Sequence, residues 1–172
     1  MKKKLMTMLA GLIVLIAFSN CSRTETLPFE TEFTGTYTAF YVDSVTCGPG
    51  PWMRVIVNCT GECNVLGTFT THFDFCADSA GYYPGQQMGA HMIADNGDTL
   101  FVECAGQVLE GRQEDHPEHV VSYWKDPFKI LGGSGKFEGA TGEGMTDDFN
   151  SNLDQNSHHH WTGTITLVKE KG

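Results

Sequence analysis

Gly132-Gly133-Ser134-Gly135-Lys136-Phe137-Glu138-Gly139-Ala140-Thr141-Gly142-Glu143-Gly144 is the segment most informative about the architecture of this chain. Six of the chain's 20 glycines fall within it, and alternating, β-rich segments lie on either side. It reads as a corner between two strands of an all-β domain. A sharp turn from one strand into the next requires positive φ and close backbone approach, and glycine supplies both. Phe137, alone among glycines, is expected to pack the corner onto the core. A phosphate-binding loop is excluded, since that needs Gly-Lys followed by Ser or Thr and then a helix. Here Lys136 precedes Phe137 and strands flank the loop.

Working outward, His160 to Lys169 alternates Trp161, Gly163, Ile165 and Leu167 on one face and predicts a closing strand. Ser151 to His159 reads as a polar loop, and Glu143 to Asn150 as a short strand. Upstream, Val120 to Leu131 reads as a strand broken by Pro127, which places it at an edge or bulge. Met88 to Ala94 and Thr99 to Gly106 are joined by Asp95-Asn96-Gly97-Asp98, a hairpin signal in which both central residues are expected at positive φ. Asn64 to Phe75 and Trp52 to Cys59 predict strands linked by a tight connection at Thr60-Gly61-Glu62. Glu32 to Val42 places Phe33, Gly35, Tyr37, Ala39 and Tyr41 on one face, and Cys47 to Pro51 is a loop. About eight short strands at this spacing predict an antiparallel barrel or sandwich.

The first 20 residues have the build of a secretion signal. Lys2, Lys3 and Lys4 precede an apolar run from Leu9 to Phe18, too short for a spanning helix of roughly 20 residues. Cys21 follows Ala17-Phe18-Ser19-Asn20 in the manner of a bacterial lipobox, so Cys21 is the expected lipidation site. The expected product is an exported bacterial lipoprotein, lipid-anchored to a membrane of the cell envelope and facing the periplasm or the outside. Residues 21–30 are expected to be a tether and 31–170 a single barrel domain. Cleavage takes the net charge from −10 to −13. So acidic a surface disfavours nucleic acid.

Export makes disulfides available to Cys47, Cys59, Cys63, Cys76 and Cys104. Five is odd, so at least one stays unpaired in a monomer. A bridge between Cys59 and Cys63 across the expected turn, and longer links among the others, all remain open. A zinc site is disfavoured because no second pair follows at similar spacing.

The run Gly132 to Gly142 closely resembles the Gly-Gly-Thr-Gly-Arg-Phe-x-Gly-Ala-Thr-Gly pattern of allene oxide cyclase barrel-like proteins, the group that includes plant dirigent proteins. Gly67-Thr68-Phe69-Thr70, Asn96-Gly97-Asp98-Thr99-Leu100 and Trp161-Thr162-Gly163-Thr164-Ile165 resemble its early strand, central hairpin and closing strand, in the same order. The resemblance implies an all-β, eight-stranded antiparallel barrel in which Gly132, Gly133, Gly135, Phe137, Gly139 and Gly142 form a structural corner. It also implies assembly as dimers or trimers. Plant members close rings in reactive lipids or steer the coupling of phenoxy radicals, but no active-site residue of those enzymes maps onto a numbered position here.

His158-His159-His160 places two histidines on one strand face, but without a carboxylate or cysteine at ligand spacing it reads as solvated. His72 and Asp74 share a face of one strand, and His91 and Ile93 of another. Because Phe69, Phe73 and Phe75 claim the opposite face, these read as solvent-facing. Asp147, Asp148 and Asp154 fit no calcium loop and read as an acidic surface. No Ser/His/Asp set has local motif support. No catalytic, cofactor or metal residue is therefore assigned. The expected function is a barrel that binds a small apolar ligand or a protein partner. A cyclase- or dirigent-like enzyme and a structural surface protein are the alternatives. An apolar interior pocket with converging ionisable groups would favour the enzyme.

Overall fold

The computed structural model describes residues 23–49, 52–84 and 90–169. The expected signal peptide and Cys21 lie outside them. The strands are β1 (Arg23–Val42), β2 (Met53–Cys63), β3 (Gly67–Ala77), β4 (Tyr82–Tyr83), β5 (Ala90–Ala94), β6 (Thr99–Cys104), β7 (Gly106–Gln107), β8 (Leu109–Glu110), β9 (Val120–Trp124), β10 (Pro127–Ser134), β11 (Thr141–Ser151) and β12 (Asn156–Lys169). There is no α-helix among the described residues.

Eight strands close a ring in the order β1, β2, β3, β5, β6, β10, β11, β12, and β12 returns to β1. Every ladder is antiparallel. This is the expected up-and-down barrel, and closure removes the exposed edges that an open sheet would leave. An eight-stranded ring is just wide enough inside for side chains or one small ligand.

The two ends differ. One is sealed by the Asn64–Leu66 turn, the Asp95–Asp98 hairpin and the glycine corner. In the corner a 3-10 turn, Gly135–Phe137, drives Phe137 fully inside. Gly135 takes φ 62° there, and a Cβ on Gly133 would collide with the Thr99 carbonyl. Phe29, Phe69, Phe128, Leu100 and Ile165 fill this closed half. At the other end the strands have unequal lengths. β3 runs eleven residues but pairs with five-residue β5 only at Phe69↔Ala94 and Thr70↔Ile93. The upper part of β3 therefore has no strand of the ring on that side, and the small β4–β7 pair lies across the gap.

Several expectations are corrected. Residues 23–30 are strand rather than tether: Arg23 pairs with Lys169, and Phe29 is core. Pairing with β2 begins only at Thr31, so Pro28 sits on an edge, where a proline is tolerated. The Asn64 side chain binds the Glu30 amide and the Pro28 carbonyl there, both at 3.0 Å. Thr60-Gly61-Glu62 lies inside β2, not in a turn. In an extended strand Cys59 and Cys63 are about 13 Å apart, beyond disulfide reach. Both are free and buried, as is Cys104, and the disulfide joins Cys47 to Cys76. In the Asp95–Asp98 hairpin only Gly97 takes positive φ (88°), as in a three-residue loop ended by a glycine bulge. A bulge at Thr38 shifts the β1 register, so Phe40 and Val42 replace Ala39 and Tyr41 on the inward face.

Candidate functional site

The open half of the barrel holds a cavity of about 860 Å³, within the usual range for small-molecule sites. Its walls are mainly apolar, with Val55, Val57, Phe73, Phe75, Trp124 and Trp161 contributing. Phe40 and Val42 extend the apolar surface to the mouth and are 66% and 62% exposed. Asp78, Glu110 and Asp148 bring acidic groups, and no lysine or arginine is among the described lining residues.

A polar row crosses the cavity from β12 to β11. Ser157, His159 and Trp161 alternate inward along β12, as period-2 geometry requires. On β11, Asp148 stands directly across from His159, and Asn150 across from Ser157. On the other flank, Phe33 of β1 lies opposite His159 and stacks on its ring at 4.3 Å with an 8° tilt. Gly35 lies opposite Ser157. A Cβ there would sit 2.5 Å from Ser157 Oγ and 2.6 Å from Val57 Cγ1, so glycine creates the space for the hydroxyl.

Within the row, Ser157 Oγ is 2.8 Å from His159 Nε2 and 3.3 Å from the Gly35 carbonyl. His159 Nδ1 is 3.1 Å from Asp148 Oδ2, bent away from a straight hydrogen bond. Trp161 Nε1 donates to both Asp148 oxygens at 3.0 Å, and the His160 amide donates to Oδ1 at 3.2 Å. Burial pushes the Asp148 carboxyl above the usual carboxylate range, while His159 and these donors pull it back. Buried carboxyls behave this way because low dielectric penalises the charged form.

A second polar group meets the cavity through Tyr83. Its hydroxyl donates to Asp126 Oδ2 at 2.5 Å and lies 3.9 Å from Cys104 Sγ, and the Gln107 amide also donates to Oδ2 at 3.2 Å. Burial raises the carboxyl of Asp126 and the hydroxyl of Tyr83, and pushes the Cys104 thiol to about 12. A thiol so raised stays protonated and is a poor nucleophile.

The other sequence candidates fall elsewhere. His72 binds Asn58 at 2.7 Å, and Asp74 takes Arg54 in a bidentate pair at 2.8 and 2.6 Å, both on the outer face as expected. His91 and Ile93 are also exposed. The three acidic candidates do not converge. Asp147 meets Lys125 and His116 outside, Asp154 meets His158 outside, and Asp148 is inside. Two expectations are thus overturned: Asp148 is not a surface carboxylate, and the histidine tract is not a solvated loop. β12 already begins at Asn156, which turns His159 inward between His158 and His160. The signal was present in the Trp161, Gly163, Ile165 alternation, which continued backwards reaches His159 and Ser157.

No family model matches the chain, and no curated protein matches it. Among solved structures, the pterocarpan synthase dirigent protein is similar over 86% of this chain and 93% of its own, with a TM-score of 0.55 and 12% identity. The likeness establishes a dirigent-like barrel fold. At that identity it transfers no residue role.

Proposed function

We propose that the barrel binds a small, largely apolar and non-anionic molecule in its open-end cavity. The observation that carries this reading is the 860 Å³ space itself. The closed half is packed with aromatic rings, yet the open half is lined by apolar side chains around a few placed polar groups. The lack of a lysine or arginine among the described lining residues disfavours fatty acids and phosphates, whose charge would be buried without a partner. Export and lipidation at Cys21 belong to the same proposal. β1 starts at the closed end, so an anchor at Cys21 would set that end towards the membrane and the mouth away from it.

The test is titration with Nile red, a neutral fluorophore. Saturable binding is expected, and Phe40→Asp with Val42→Asp should weaken it about tenfold or more, because each places a charge on the apolar route in. Both positions are exposed, so the fold should persist. Absence of saturable binding by the native protein would remove the reading.

A second reading, an enzyme, is supported by the Ser157–His159–Asp148 row. Ionisable groups converge on an apolar interior, the arrangement that acid–base or nucleophilic chemistry requires. The structural neighbour is by name a synthase.

A further inference from the structure

We infer that Ser157 is a nucleophile for acyl transfer, served by His159 as base and Asp148 as its orienting carboxylate, acting on esters of small apolar acids. This rests on the cavity being a ligand site and names what happens there.

The geometry divides the imidazole between two partners. Nε2 faces the hydroxyl at 2.8 Å and Nδ1 faces the carboxylate at 3.1 Å. With a proton on Nδ1, its positive end points at Asp148 and the Nε2 lone pair is free to accept from Ser157. In that tautomer Nδ1–H and the carboxylate attract at 3.1 Å without the alignment of a hydrogen bond, which closes only with a small turn of the ring. The Trp161 and His160 N–H groups fix the carboxylate in place. Phe33 holds the imidazole plane by stacking. Ser157 has the Gly35 carbonyl as a second acceptor, but at 3.3 Å it is the longer contact. Nucleophile, base and orienter within hydrogen-bond reach are the recurring signature of an activated serine, on whatever fold it occurs.

A donor for the developing oxyanion stands beside the nucleophile. The Tyr37 hydroxyl lines the cavity and donates to Asn150 Oδ1 at 3.0 Å, a bond it must release to serve there. The backbone offers no pair of free amides, because Ser157 and its neighbours are committed to the β11 and β1 ladders. One missing donor costs roughly a hundred- to a thousand-fold in rate. Slow turnover is therefore expected, and adduct formation is the better readout.

In the step, Ser157 Oγ bonds to the ester carbonyl carbon and its proton passes to His159 Nε2. The tetrahedral species collapses, the carbon–alkoxy bond breaks, and Nε2 protonates the departing alkoxide. Water then attacks the acyl-serine, gives its proton to Nε2, and Oγ recovers a proton as the acid leaves. Ser157 is 1% exposed, so the acyl partner must be compact.

Diisopropyl fluorophosphate is the probe. Oγ bonds to phosphorus, fluoride leaves and the proton goes to His159. The full chain is incubated with the reagent, and peptide mapping locates the adduct. One adduct is expected on Ser157, absent in Ser157→Ala and His159→Gln and at least tenfold slower to form in Asp148→Asn. Mapping on the native protein gives an answer even if a variant fails to fold. No adduct, an adduct elsewhere, or an unchanged rate in His159→Gln overturns the inference. Nile red is titrated in parallel. Dye binding without an adduct removes the nucleophile and leaves the ligand site, whereas neither signal removes both.

Discussion

At the scale of single residues, the interior is distinguished by two carboxylates withdrawn from water, Asp148 fully and Asp126 by half. Asp148 is held by Trp161, His160 and His159. Asp126 is held by Tyr83 and Gln107, and Gly106 leaves the room it occupies, since a Cβ there would collide with its carboxylate. Burial leads the shift of Asp126, raising its carboxyl above the usual range. A group raised on folding binds its proton more tightly in the native state than in the unfolded one. Its support for the fold is therefore complete below the ordinary carboxylate value and is lost as pH rises through the raised value. Asp126→Asn removes that dependence and keeps an oxygen to accept from Tyr83 and Gln107. The melting temperature of the variant minus that of the native protein should grow between about pH 4 and about pH 7. A difference that stays flat, or shrinks, would show that Asp126 is not raised. The serine and histidine beside Asp148 were hidden in the sequence for a related reason. Ser157-His158-His159-His160 looks uniformly polar, and only strand parity separates the buried members from the solvated ones.

At the scale of elements, what could be read in advance was whatever repeats with period two or turns on glycine. Phe69, Phe73 and Trp161 declared the inward face of their strands, and the corner from Gly132 to Gly144 announced itself. What could not be read was set by pairing. Whether Arg23 to Glu30 is strand depends on β12 lying beside it. Whether Phe40 faces in depends on one extra residue at Thr38. Whether Pro127 ends a strand depends on β11, which pairs with β10 at Met145 and below and with β9 from Asp148 onwards. The corner has the clearest mechanical role. Phe137 is fully buried, and Ala140 and Gly139 carry the chain past it into β11. Phe137→Ala should cost about 3–5 kcal/mol, the sum of lost transfer energy and the cavity left at the closed end. Chemical denaturation checks it, and an unchanged midpoint would mean that the corner does not rest on that ring.

At the scale of the whole molecule, a barrel packed solid at one end and hollow at the other separates stability from binding. The hollow half carries net negative character. Asp78, Glu110 and Asp148 line it and Asp126 stands behind Tyr83, while the described lining offers no fixed cation. A carboxylate brought within about 10 Å of one such charge meets roughly 1.7 kcal/mol of repulsion at an effective dielectric near 20, which is more than tenfold in affinity. Two competitors built on the same naphthalene ring separate this effect from hydrophobic fit: 2-naphthol, neutral at pH 7, and 2-naphthoate, an anion. The naphthol should displace Nile red at no more than about a tenth of the naphthoate concentration. Surface repulsion from the chain's net charge would give the same ordering at low salt. It fades when the Debye length falls to about 3 Å near 1 M salt, whereas repulsion inside the cavity persists. The preference should therefore survive high salt. Equal competition there, or a reversal in favour of the anion, would mean that the acidic lining does not set the polarity of the site, and the non-anionic ligand class would fall with it.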